Sequence, residues 1–380
     1  MIASLPKING SKRISFVMKI LVVASSVGNT APGKVFSSYI KRLAKDYQKI
    51  DIISLDSNET ISSEIIQMPK VHPRLKKLSI SCFGLDLFDY YYAHNLQKKL
   101  QEKPYDVVIS MMSAHNFLPL YVGAFLKERN IKWINYCVDA VPAPKGWGLS
   151  DSYSNGLIKM IRKYMAKADR IYFSNDVMLQ YQLNLLNGCF EGESGVLYTL
   201  PDIEPLNLPV KEKDEFTLLY TGGIYQARKV DQLLLAVEKL LNSGLNVKLN
   251  FVGTNPNSVD LNVVSPETRS HIEFFGYTRD LLPFYAEADF LIDIDADIEN
   301  DVFISSKFFN YLMINRKILC ITGKNSPVTR FVEESNVEYV YITNHNCNDI
   351  FQSILSNSSA CLNIDRKNIY KAKLDKGIEI

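Results

Sequence analysis

Two patterns of apolar and polar positions alternate along the chain. Short continuous apolar runs are typical of strands buried on both faces, and between them apolar residues recur every three or four positions, as they do on a helix. In the first half the pattern predicts strands at 19–25, 50–54, 105–110, 131–138 and 170–174. It predicts helices at 33–45, Leu87–Leu100, Pro119–Arg129 and Leu157–Ala168.

The same alternation restarts in the second half. Strands are predicted at 216–220, 247–253, 272–276, 289–295, 317–321 and 338–342, with helices at Asp231–Leu241 and from about Lys307. A stretch rich in Gly, Pro and acidic residues separates the two series and indicates a linker. The predicted fold class is therefore α/β, with two Rossmann-like parallel-sheet domains facing each other across a cleft. The predicted units are a first domain at 18–190, a linker at 191–215, a second domain at 216–360 and a final segment at 361–380.

Composition agrees with a folded two-domain chain. The 380 residues are 47% hydrophobic and 22% charged, which supports a sizeable core and excludes wholesale disorder. The six cysteines are scattered without a C-x-x-C pair, which favours a reducing cytoplasm. Lys12 and Arg13 precede an apolar stretch, but Lys19 interrupts it, so a buried first strand is favoured over a signal peptide. Met18 then becomes a candidate start, preceded by a disordered extension.

Charge is distributed unevenly although the net charge is only +2, which argues against a nucleic-acid partner. Residues 1–210 hold 25 Lys and Arg against 18 Asp and Glu. Lys159, Arg162, Lys163 and Lys167 are spaced by three and four and would share one side of a helix. Such a cluster is either a solvated helix face or a surface attracted electrostatically to an anionic lipid leaflet.

The loop after the first strand, G-N-T-A-P-G-K-V at 28–35, nearly matches a phosphate-binding loop. Val35 lacks the hydroxyl that would hold Mg²⁺, so nucleotide hydrolysis is disfavoured. Two interpretations remain open, a glycine turn with N–H groups facing the cleft and an ordinary βα turn.

Carboxylates cluster at the end of a strand in the second half. Asp293, Asp295 and Asp297 form D-I-D-A-D, which could hold Mg²⁺ or Mn²⁺. A solvated acidic loop is the favoured interpretation, and no metal site is predicted.

Two further segments have the chemistry of an anion site. Y-T-G-G-I-Y-Q-A-R-K, from Tyr220 to Lys229, follows a strand with a glycine pair and two cations, as a diphosphate requires. In F-I-S-S-K-F-F-N-Y-L, Ser305 or Ser306 can cap a helix that carries Lys307 in its first turn. A cation there opposes the helix dipole, so this position indicates a nearby anion.

These segments, followed in order by N-F-V-G, I-E-F-F-G-Y, L-L-P-F-Y-A-E-A-D-F and K-I-L-C-I, resemble family 4-type glycosyltransferases of the GT-B fold. The resemblance covers roughly Phe216–Glu334. It implies that the glycine turn and nearby cations bind the donor diphosphate. The donor-binding residues it implies are Gly33, Gly222, Gly223, Lys229, Gly253, Tyr277, Ser306 and Asn310. The catalytic residues it implies are Arg228, Lys307, His115 and Asp139.

The chain departs from the family pattern at two places. Asn310 stands where the family has a Glu that bonds the donor ribose. The first Glu of the family's E-x₇-E pair would fall at Val302, so Glu299 or Asp301 could take its role only in a shifted loop.

The resemblance implies a glycosyltransferase that moves a sugar from a nucleotide-diphosphate sugar to a glycan or lipid-linked acceptor with retention of configuration. The expected role is synthesis of a cell-surface polysaccharide such as capsule, O-antigen or exopolysaccharide. The expected location is the cytoplasm, peripherally at the inner face of the cytoplasmic membrane, with no metal or other cofactor. Two alternatives stay open: a nucleotide-sugar epimerase on the same fold, and a degenerate subunit that binds donor without turnover.

Overall fold

The computed structural model describes residues 18–28, 30–209, 214–224, 227–358, 364–366 and 373–380. The predicted extension before Met18, and with it the signal-peptide alternative, lies outside the described residues. Parts of the predicted linker and of the predicted final segment lie outside them as well.

The first domain is built on a seven-stranded parallel sheet. Its strands are β1 (Lys19–Ala24), β2 (Lys49–Ser54), β3 (Glu64–Ile65), β4 (Val107–Met112), β5 (Lys132–Cys137), β6 (Arg170–Phe173) and β7 (Glu193–Val196). Their order is β3-β2-β1-β4-β5-β6-β7. The helices are α1 (Ala31–Asp46), α2 (Pro73–Phe83), α3 (Leu87–Leu100), α4 (Leu118–Lys127), α5 (Asp151–Lys163) and α6 (Asp176–Leu186).

The second domain has a six-stranded parallel sheet in the order β10-β9-β8-β11-β12-β13. Its strands are β8 (Phe216–Thr221), β9 (Val247–Val252), β10 (Ile272–Phe275), β11 (Phe290–Ile294), β12 (Lys317–Ile321) and β13 (Val340–Thr343). The helices are α7 (Asp231–Asn242), α8 (Pro266–Arg269), α9 (Leu282–Glu287), α10 (Ser306–Tyr311), α11 (Pro327–Ser335) and α12 (Cys347–Ser356). The predicted architecture of two parallel-sheet domains is confirmed.

Short polar signals fix where several helices begin. The Thr30 hydroxyl accepts a hydrogen bond from the amide of Gly33 at 3.1 Å and caps α1. Ser305, one of the two predicted caps, accepts from the amide of Lys307 at 3.2 Å and starts α10. Because each cap satisfies an amide that has no partner inside its helix, it sets the first turn and the position of the side chains there.

The helix predicted at Leu157–Ala168 has other bounds in the structure. It begins at Asp151, ends at Lys163 and is followed by a separate 3₁₀ turn at Met165–Lys167. Lys167 therefore does not continue the helix that carries the other three basic residues. In the 3₁₀ turn its ammonium pairs with the carboxylate of Glu128 at 2.6 Å.

The connection between the domains differs from the predicted linker at its start. Residues 193–196 form β7, which pairs with β6 as an outer strand of the first sheet. Further along, the amide of Leu206 donates to the carbonyl of Met313 at 2.7 Å, so this part of the linker packs on the second domain. At the chain end Ile378 packs in the core of the first domain, so the end of the chain returns there.

Direct contacts join the two domains beside the cleft. The indole N–H of Trp147 donates to the Asp301 carboxylate at 2.9 Å, and the side-chain amide of Asn175 donates to the carbonyl of Val302 at 2.8 Å. The rings of Trp147 and Phe303 meet edge to face with centroids 5.1 Å apart. Within the described ranges, no helix combines the length and the apolar character needed to cross a membrane.

Candidate functional site

A cavity of about 380 Å³ lies between the two domains. His115 and Asp139 line it from the first domain, and Arg228, Ser306 and Lys307 line it from the second. Arg228 follows strand β8, and His115 follows β4. The cavity is thus formed where parallel strands end, as expected for ligand sites in open α/β sheets.

A pair of glycines lets two loops meet beside this cavity. Gly222 has φ of 99° and Gly253 has φ of 77°, conformations that residues with a side chain rarely adopt. The hydroxyl of Thr254 donates to the carbonyl of Gly222 at 2.6 Å and ties the loops together. A Cβ on Gly222 would lie 3.4 Å from Cδ of Lys307, so the missing side chain leaves the space that the lysine uses.

The two second-domain cations that line the cavity interact electrostatically with each other. The Lys307 ammonium lies 5.2 Å from the ring centroid of Tyr220, and the side chain of Arg228 is only 10% exposed. Burial, reinforced by the charge of Arg228, lowers the pKa of Lys307 to about 8. An anion placed between these groups would relieve their repulsion and reverse this shift.

Three buried carboxylates stand next to these cations. Asp293, Asp295 and Asp301 are all buried, and an Asp295 oxygen lies 3.5 Å from a guanidinium nitrogen of Arg228. Burial, followed by the charge of Asp293, raises the pKa of Asp295 to about 8. The predicted solvated acidic loop is therefore wrong for Asp293 and Asp295, because the strand carries both into the interior; Asp297 is exposed. In the described part of the chain, no group of three or more His, Cys, Asp or Glu is arranged to hold a metal ion.

The two candidate residues of the first domain differ in how firmly they are held. A carboxylate oxygen of Asp139 accepts the amide hydrogen of Ala114 at 2.9 Å, whereas His115 is exposed. Burial raises the pKa of Asp139, while that amide and the charge of His115 act in the opposite direction. The structure thus brings both residues to the same cavity as Arg228 and Lys307.

Comparison of sequences finds no match, neither to a family model nor to a curated protein. Comparison of structures finds several similar proteins. A glycosyltransferase from Rickettsia africae ESF-5 is 12% identical over 94% of this chain and 93% of its own, with a TM-score of 0.64. WaaG, a glycosyltransferase involved in lipopolysaccharide biosynthesis, is 15% identical over 89% and 91%, with a TM-score of 0.60. Anabaena HepE, in complex with UDP and glucose, is 12% identical over 94% and 96%, with a TM-score of 0.60. The protein has the GT-B fold.

In this GT-B protein the first-domain glycine loop bonds mainly to its own neighbours. The Asp56 carboxylate accepts the amide hydrogens of Val27 and Gly28 at 2.6 and 3.0 Å. The amide of Gly33 donates to Thr30, and a Cβ on Gly33 would lie 2.5 Å from the carbonyl oxygen of Gly28. Close packing of backbone on backbone therefore explains Gly33, and donor binding by this residue stays a prediction.

The remaining predicted donor residues lie around the second-domain loops. Lys229, Ser306 and Tyr277 are exposed, and a Cβ on Gly253 would lie 3.9 Å from a ring carbon of Tyr277. Gly223 is exposed as well, and its carbonyl accepts the hydroxyl of Tyr220 at 3.0 Å.

Asn310, the position expected to meet a ribose, contacts the linker instead. Its side-chain oxygen accepts the amide hydrogen of Asp202 at 2.7 Å. A single amide oxygen can accept more than one hydrogen bond. The contact with Asp202 therefore leaves Asn310 able to form a second hydrogen bond to a ribose.

Sequence inspection missed Trp147, which lines the cavity and reaches Asp301 in the other domain. The available signal was a large aromatic residue inside the Pro- and Gly-rich loop V-P-A-P-K-G-W-G. It also missed Asp56, whose role depends on β1 and β2 lying side by side and not on any local motif.

Proposed function

We propose that the protein is a glycosyltransferase that moves a sugar from a nucleotide-diphosphate sugar to a glycan or lipid-linked acceptor. The observation that carries the proposal is the pairing of Arg228 and Lys307 on one wall of the interdomain cavity, beside the left-handed Gly222 turn. Two cations held away from water favour a multiply charged anion between them. The GT-B fold and the UDP and glucose bound to Anabaena HepE support a nucleotide sugar as that ligand.

The proposed chemistry is stabilisation of a departing diphosphate. As the bond between sugar and phosphate breaks, negative charge grows on the leaving group, and Arg228, Lys307 and the N-terminus of α10 meet it. Losing one such donor typically costs about 2.7–4 kcal/mol of transition-state stabilisation. His115 and Asp139 face the same cavity from the first domain, and we assign them to the acceptor and the transferred sugar.

The finer parts of the proposal are retention of configuration and a role in cell-surface polysaccharide synthesis at the inner face of the cytoplasmic membrane. The lipopolysaccharide role of the neighbour WaaG supports the second part. The reaction needs no metal in this proposal, because two protein cations take the place that Mg²⁺ would occupy beside a diphosphate.

The first test replaces the two cations separately. Arg228→Ala and Lys307→Ala should each lower kcat/KM for the accepted donor by about 10²–10³-fold and weaken UDP binding, because each removes a charge from the diphosphate site. Isothermal titration with UDP and transfer assays against a panel of nucleotide sugars measure both effects.

Lys324→Ala is the matched control, since Lys324 is an exposed second-domain cation paired with Glu299. Wild-type binding and turnover by both site variants would refute the diphosphate site. Donor consumption without acceptor would indicate the epimerase instead.

The second test concerns the metal. Transfer should proceed unchanged in the presence of EDTA, because charge neutralisation comes from Arg228 and Lys307. Loss of activity in EDTA and its restoration by Mn²⁺ would instead assign Asp293 and Asp295 to a metal.

One observation favours a second candidate, a subunit that binds donor without transferring it. The hydrogen bond from the Asp202 amide occupies the side-chain oxygen of Asn310 where the resemblance places a ribose contact. UDP-sugar binding that is normal by titration, with neither transfer nor hydrolysis across the panel, would establish this candidate.

A further inference from the structure

An unusual concentration of exposed apolar side chains lies on α2 and the start of α3. Leu75, Leu78, Phe83, Leu87 and Tyr91 are between 43% and 69% exposed. We call these five residues the α2–α3 apolar surface. Single exposed apolar residues are ordinary, but five on two adjoining helices point to an interaction site.

The five side chains belong to adjoining elements. Leu75 and Leu78 are three residues apart on one side of α2, and Leu87 and Tyr91 are four apart on α3. The amide of Leu87 donates to the hydroxyl of Ser79 at 3.1 Å, so α3 begins directly against α2.

The exposed charges of the α2–α3 segment itself have one sign. The structure describes all of 73–100, and the two acidic residues there, Asp86 and Asp89, are buried and both pair with Lys76, at 3.5 and 2.5 Å. The exposed charged residues of this stretch are Arg74, Lys77, Lys98 and Lys99. Apolar side chains bordered by cations fit an anionic lipid leaflet, whose head groups attract the cations while its acyl region accepts the apolar groups.

The surface also adjoins the interdomain cavity. The ammonium of Lys77 lies 5.8 Å from the ring centroid of Tyr153, and both residues line the cavity. Gly84, which ends α2, packs beside Lys159 of α5, where a Cβ on the glycine would lie 2.9 Å from that of the lysine. The basic helix that the sequence singled out is therefore next to the apolar surface.

We propose that the α2–α3 apolar surface inserts into the interface of an anionic membrane and holds the first domain there. Insertion adds a hydrophobic contribution to the electrostatic attraction expected from the basic residues of α5. The proposal deepens the membrane location included in the proposed function by naming the surface that attaches there, and its test needs neither donor nor turnover. If the acceptor is lipid-linked, this surface would bring the cavity to its substrate.

The test measures sedimentation of the full chain with phosphatidylcholine vesicles, either alone or with phosphatidylglycerol, in low and high salt. Wild-type protein should bind the anionic vesicles and retain part of that binding in high salt, because apolar insertion is not screened. The variant Leu75→Ser/Leu78→Ser/Phe83→Ser should lose about tenfold or more in vesicle affinity at both salt concentrations, since burying each such side chain is strongly favourable.

Leu282→Ser/Leu355→Ser is the matched control, since both residues are exposed leucines of the second domain. UDP titration and thermal unfolding show whether each variant is folded, and a folded triple variant that binds vesicles like wild type overturns the proposal. So does a wild-type dimer that the triple variant converts to monomer, because a second copy would then cover the surface. Wild-type protein that binds the vesicles but does not bind UDP would contradict the proposed function and leave the membrane proposal standing.

Discussion

At the scale of single residues, the site is an arrangement of opposite charges that burial makes costly. Asp295 and Lys307 share surroundings with Arg228 and Asp293, and burial shifts the pKa values of both toward about 8 from opposite directions. Each shift favours the neutral form of its group. The charge state of the site therefore changes in a range of pH that is readily accessible.

This arrangement predicts that diphosphate binding depends on pH. A bound anion favours protonated Lys307 and protonated Asp295, so binding takes up protons once the pH exceeds about 8, where the free groups have lost them. The Kd for UDP should rise about threefold from pH 7 to pH 8 and about thirtyfold from pH 8 to pH 9, as the two groups with pKa values of about 8 lose their protons. The terminal phosphate of UDP, with a pKa of about 6, is already ionised there.

The variant Asp295→Asn removes the proton uptake of Asp295 and leaves that of Lys307. This variant should bind UDP like wild type at pH 7 and more tightly than wild type at pH 9, since its side chain cannot acquire a charge. Asp297→Asn, which removes an exposed carboxylate from the same loop, should follow wild type. Titration calorimetry at the two pH values measures these affinities. An Asp295→Asn binding curve that overlays the wild-type curve at both pH values contradicts the assignment of one proton to Asp295.

At the scale of elements, the start of α1 shows how one sequence motif can serve packing instead of ligand binding. The glycines at 28 and 33 match a phosphate loop by spacing, yet Asp56 already holds the amides of Val27 and Gly28. Gly33 lies in the first turn of α1 against the backbone of Gly28. The glycine is needed there for close approach.

Gly33→Ala should therefore destabilise the protein. Its Cβ would lie 2.5 Å from the Gly28 carbonyl oxygen, and relieving that overlap typically costs about 1–3 kcal/mol. Gly276→Ala is the control, because a Cβ there has no neighbour within 4 Å. Denaturant unfolding should separate the two variants, and equal stabilities would show that the α1 loop relaxes freely.

At the scale of the whole molecule, the cleft is defined by contacts that cross between the domains. Trp147 in the first domain reaches Asp301 and Phe303 in the second, and Asp301 belongs to the charged group around Arg228. A negative charge bound at Arg228 therefore changes the electrostatic environment of the Trp147 indole, which connects the two domains.

UDP binding should accordingly change the fluorescence of Trp147. The chain has two tryptophans, and Trp133 is buried in the first-domain core with its indole N–H bonded to Ser110. Trp147→Phe should retain UDP binding by calorimetry and lose the fluorescence response. A response of wild-type size in that variant would show that the signal comes from Trp133, and that the core of the first domain responds to the ligand.

The sequence by itself determined the α/β alternation, most strands, the α10 cap and the glycine turn with its two cations, because these follow from periodicity and local hydrogen bonding. It missed several helices: α2, whose leucines at 75 and 78 face outward, and also α6, α11 and α12, whose buried residues do recur at helical spacing. Only the tertiary structure decided that Asp295 lies against Arg228, that Asn310 bonds to the linker, and that Trp147 reaches the other domain. These contacts join residues that are 67 (Asp295 to Arg228), 108 (Asn310 to Asp202) and 154 (Trp147 to Asp301) positions apart. Their formation depends on how sheets and domains pack, and local sequence carries no record of that packing.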